Sequence, residues 1–86
     1  MSRAPRQLSA QDRATLAEFE ALHEQWRLAD EAADAAEREL AEMFEQHVQG
    51  RGPAPSPAQI EQPVLLRLAA AEIHGRSMQL LRSAPI

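Results

Sequence analysis

The chain has 86 residues, no cysteine and no lysine, nine arginines against thirteen acids, and only three aromatic side chains, Phe19, Trp26 and Phe44. That length supports one domain with a thin core, and the missing cysteines exclude disulfides, thiolate catalysis and cysteine-based zinc sites. A net charge of −4 disfavours a nucleic-acid partner, and no apolar run approaches the roughly 20 residues of a membrane span.

Residues 1–8 read as a flexible arm. Arg3 and Arg6 are not followed by the apolar core of a secretory signal, so a cytoplasmic setting is expected. Arginine used to the exclusion of lysine, with abundant alanine, fits coding from a GC-rich bacterial genome.

The first helix is expected over 10–49. Ser9 is placed to cap it, and Asp12, three residues on, completes a capping box. No proline or glycine interrupts the segment. Phe19, Leu22, Trp26, Ala29, Ala33, Ala36, Leu40, Met43 and His47 recur at alternating spacings of three and four, a heptad a/d stripe. Glu31, Asp34, Glu37 and Glu45 read as a solvated face that keeps an alanine-rich helix soluble. An acidic polar face also argues against a membrane-surface helix.

The segment "HVQGRGPAPSPAQIEQP" then reads as a stop and a start. Gly50 is placed to end the first helix in the left-handed conformation. Ser56, Pro57 and Gln59 read as N-cap, first-turn proline and capping-box partner of the next helix. A turn over 50–56 therefore leads to a second helix over 57–83. Pro63 lies too deep for a first-turn position and is expected to kink the helix or shift its start. Gly75 is a second weak point.

Folding this hairpin at Pro53 pairs positions whose numbers sum to about 106, placing Leu40 on Leu66, Ala36 on Ala70, Ala33 on Ile73, Ala29 on Ser77 and Trp26 on Leu80. That arrangement covers one stripe of the second helix and leaves another, Ile60, Val64, Leu68, Ala71, Gly75 and Met78. The longer first helix also overhangs, leaving Leu16, Phe19 and Leu22 without an intrachain partner. Apolar surface of this kind marks an interaction site. The expected fold is all-α: a long antiparallel two-helix hairpin, as one domain over 9–86, dimerising into a four-helix bundle. The candidate interaction residues are Leu16, Phe19, Leu22, Val64, Leu68, Ala71 and Met78.

Candidate chemistry is sparse. Glu20 and His23 form a Glu-x-x-His pair, the spacing by which di-iron bundles present two ligands from one helix, with Glu61 or Glu72 as the available carboxylates opposite. The heptad puts Glu20 and His23 at flank positions, so a solvated surface is the simpler reading of Glu20, His23 and Glu72. His47 is expected to act as a cation at the C-terminus of the first helix. Arg67 and His74 are expected to line a polar seam, or Arg67 to pair with a glutamate of a second chain. Trp26 is expected in the core, and "EIHGRS" cannot form a triad because neighbouring helical positions diverge. The reading is a non-enzymatic interaction protein without cofactor, a homodimer acting as an adaptor, small chaperone or regulatory subunit. The alternatives are a metal- or ligand-binding bundle and an obligate subunit of a hetero-complex.

Overall fold

The computed structural model describes residues 9–83. The expected arm over 1–8 and positions 84–86 of the expected domain lie outside the described residues. Two helices account for nearly all of the rest: α1, Ala10–Val48, and α2, Pro57–Ser83. They pack against each other as an antiparallel hairpin, with no other element among the described residues. No described helix is long and apolar enough to cross a membrane.

The ends of both helices follow from short polar motifs. Asp12 N–H donates to Ser9 Oγ at 3.0 Å while Ser9 N–H donates to Asp12 Oδ2 at 3.2 Å. This reciprocal box satisfies two donors that the first turn leaves without helical partners. Ser56 and Gln59 repeat it at the start of α2, with bonds of 2.8 and 3.1 Å.

α1 ends one residue before the expected 49, with Gln49 as its C-cap. Gly50 follows at φ +73°, where a side chain would be strained. Its N–H donates to the His47 carbonyl at 3.0 Å and the Arg51 N–H to the Gln46 carbonyl at 2.8 Å. Together these bonds form a Schellman motif, which closes the carbonyls left open at the helix end. His47 also joins the turn. Its Nδ1 lies 3.1 Å from the Gly52 carbonyl oxygen, and a carbonyl only accepts, so Nδ1 carries the proton there. The imidazole thus ties the helix end to the turn.

Pro63 does not shift the start of α2, because the helix runs unbroken from Pro57 with Pro63 inside it. The ring is buried. Its loss of a backbone donor is offset by packing in a groove shared with Leu40 and Met43 of α1.

The core is a single seam. On α1, Thr15, Phe19, Leu22, Trp26, Ala29, Ala33, Ala36, Leu40 and Met43 are buried or half-buried at spacings of three and four. On α2 the same holds for Pro63, Leu66, Ala70, Ile73, Ser77 and Leu80. Burial is most complete in the middle, where Ala33 is 0% and Ala70 2% exposed. Small side chains let two helix backbones approach to about 8 Å. Ser77 is also buried, and its hydroxyl donates to the Ile73 carbonyl at 3.3 Å, so it adds no unpaired group to the seam.

Across the hairpin Trp26 meets His74, and the longer Arg67 side chain reaches Glu37.

Candidate interaction surface

The side of α2 that α1 does not cover is apolar along its whole length. Val64 is 57% exposed, Leu68 62%, Ile60 44% and Met78 37%, with Ala71 and Gly75 exposed between them. Leu65 and Leu81 add apolar surface to either side. Among the described residues no large side chain is fully buried. The hairpin therefore leaves outside much of what a core of this size would normally enclose.

In the overhang Leu16 is exposed, at 45%, and Phe19 and Leu22 are half-buried. The Phe19 ring stacks on His23, with centroids 6.2 Å apart and planes 20° apart. His23 lies against Trp26 at 5.5 Å, and Trp26 against His74 of α2 at 5.6 Å. Two imidazoles thus flank the indole toward the open end of the hairpin, and the phenyl ring stacks on one of them. Trp26 is half-buried in this ladder, in keeping with an amphipathic ring whose body is covered and whose edge meets water.

The ladder also shows how His23 is used. Its ring lies between Phe19 and Trp26 on the same helix, and Glu20, His23 and Glu72 are not brought together. Among the described residues no group of three or more His, Asp or Glu is arranged to hold a metal ion.

Arg67 is the polar centre of the hairpin. Its partners here are three carboxylates of α1 in its own chain. Nη1 donates to Asp30 Oδ1 at 2.5 Å, Nη2 to Asp34 Oδ1 at 2.7 Å and Glu37 Oε1 at 2.9 Å, and Nε to the same Glu37 oxygen at 3.1 Å. The planar fork of arginine suits such multiple donation, which an ammonium group could not reproduce. Donating to Asp34 and then to Glu37 raises the guanidinium pKa above its ordinary value. Three carboxylates at successive turns of α1 are thereby tied to one cation of α2, and the cluster keeps a surplus of negative charge. The sequence carried the signal: Asp30, Asp34 and Glu37 share one face of α1, and Arg67 alone interrupts the apolar run of α2.

On the outer surface of α1, Arg27 bridges Glu24 and Glu31 at 2.6 Å each. The Arg27 side chain holds the Glu24 carboxyl below its ordinary pKa, chiefly through the hydrogen bond. These exposed pairs support the helix locally and contribute little to tertiary stability.

Comparison of the chain with protein-family models, with curated proteins and with solved structures gives no match. The functional reading therefore rests on the geometry of the chain itself.

Proposed function

We propose that the chain is a non-enzymatic helical interaction protein that associates with itself as a four-helix bundle and acts through protein contacts. The observation that supports this most directly is the uncovered apolar side of α2, with Val64 and Leu68 more than half exposed. Helices that are apolar on two sides are covered on two sides in stable folds, and a second hairpin supplies a matching surface by symmetry. The acidic outer side of α1 then remains available for other contacts. The cysteine-free composition fits a cytoplasmic protein.

Light scattering across a range of concentrations tests the reading. The expected mass is twice the 9.5 kDa of the chain, falling toward the monomer only on dilution. A monomer at every concentration would refute self-association and make the α2 surface bait for a different protein.

A further inference from the structure

We propose that the two copies pair α2 on α2, antiparallel, about a two-fold axis between Leu68 and Ala71, with Val64 of each copy seated over Gly75 of the other. This inference rests on the self-association reading above and specifies its interface.

The spacing of the stripe carries the argument. Ile60, Val64, Leu68, Ala71, Gly75 and Met78 are separated by four, four, three, four and three residues, nearly the same pattern read in either direction. An antiparallel copy therefore lays Ile60 on Met78, Val64 on Gly75 and Leu68 on Ala71, and no member of the stripe lacks a counterpart. Each pair joins a bulky branched side chain to a small or pliable one, as interdigitated packing requires. A parallel alignment would set Leu68 on Leu68 and Gly75 on Gly75, crowding one level and leaving a void at another.

Gly75 supplies an independent observation. It lies inside α2 with no positive φ, and a Cβ built there meets nothing within 4 Å. Neither the backbone nor the packing of the hairpin calls for glycine, the least favourable helix residue after proline. Close approach of a second backbone at that point does call for it.

Charge points the same way. α1 carries eleven acids against Arg13, Arg27 and Arg38, whereas α2 carries Glu61 and Glu72 against Arg67, Arg76 and Arg82. Pairing along α1 would bring two strongly acidic helices together. Pairing along α2 joins the two nearly neutral helices and leaves the acidic ones outside, where separation and salt weaken their repulsion.

Because the chain has no cysteine, single Ile60→Cys and Met78→Cys chains report the orientation directly. In the antiparallel arrangement two copies of residue 60 lie about 28 Å apart along the helices, from 1.5 Å per residue, while residue 60 lies beside residue 78. Mild oxidation should give a covalent dimer from a re-equilibrated mixture of the two variants and none from either alone. Cross-linking of either variant alone would establish a parallel pair and overturn the inference. A second variant, Gly75→Leu, should weaken association at least tenfold while the circular dichroism of the hairpin is kept. A dimer by light scattering that resists Gly75→Leu and gives no mixed cross-link would place the interface elsewhere, overturning this inference alone. A wild-type monomer would remove the self-association reading and this inference with it.

Discussion

Ala33 offers the sharpest test of the hairpin itself. It has no exposed surface and lies in the seam between the two helices, with Ala70 nearly as buried on α2. Replacing Ala33 with Leu adds an isopropyl group to a position with no room for it. Leucine is almost as good a helix former as alanine, so the effect isolates packing. Overfilling a tight seam costs about 1–3 kcal/mol. An 86-residue domain holds about 4–13 kcal/mol in total, at 0.05–0.15 kcal/mol per residue, so the loss is a substantial fraction. At about 4–8 °C per kcal/mol for a domain of this size, the melting temperature should fall by roughly 5–20 °C. The assay is thermal circular dichroism at fixed protein concentration, because association shifts apparent stability. Ala35→Leu is the control. Ala35 is exposed on the same helix, and a surface change there stays within about 0.5 kcal/mol. Equal melting temperatures for the two variants would refute close approach at Ala33.

Gly50→Ala should destabilise the chain by about 1–2 kcal/mol in chemical denaturation, the cost of a left-handed L-residue; the added Cβ meets no neighbour, so an unchanged midpoint would contradict the positive φ at the turn. Arg67→Met removes the attraction between Arg67 and Asp30, Asp34 and Glu37 and leaves the three carboxylates to repel one another. Added salt screens attraction in the parent and repulsion in the variant, so the slope of stability against salt should become more positive; identical slopes would mean the cluster is not formed. His74→Ala uncovers one face of Trp26, the only tryptophan, and its fluorescence should shift to longer wavelength. No shift would show that the ring ladder does not cross from α1 to α2.

The parts of the fold most legible in the sequence were those governed by local rules. Ser9 with Asp12, Ser56 with Gln59, and Gly50 each announce a helix end through contacts within a few residues. The a/d stripe of α1 was legible because burial repeats with the helix. Pro63 was legible only in part: the helix starts at Pro57 and is not shifted by it, because its cost is local whereas the packing around it lies on the other helix. Arg67 and His74 were picked out as polar positions on α2, but the partners of Arg67 and the Phe19–His23–Trp26–His74 ladder were not read, because apolar periodicity takes no account of where long polar side chains and imidazoles reach. The exposed stripe of α2 was legible as a pattern of spacing, and the structure leaves it uncovered by α1.

An antiparallel hairpin with one turn also has a mechanical character. The contacts between α1 and α2 are nested: Arg67 and Glu37 are 30 residues apart, Arg67 and Asp30 37, and Trp26 and His74 further still. The N-terminus of α1 and the C-terminus of α2 emerge at the same end. Tension between them would load the contacts one after another, as in a zipper, and not all at once in shear. The seam around Phe19, Leu22, Ser77 and Leu80 would part first, then Trp26 and His74, then the bonds of Arg67 to Asp30, Asp34 and Glu37. The bonds around Gly50 would be last, so a chain tethered at both ends would open gradually and at low force.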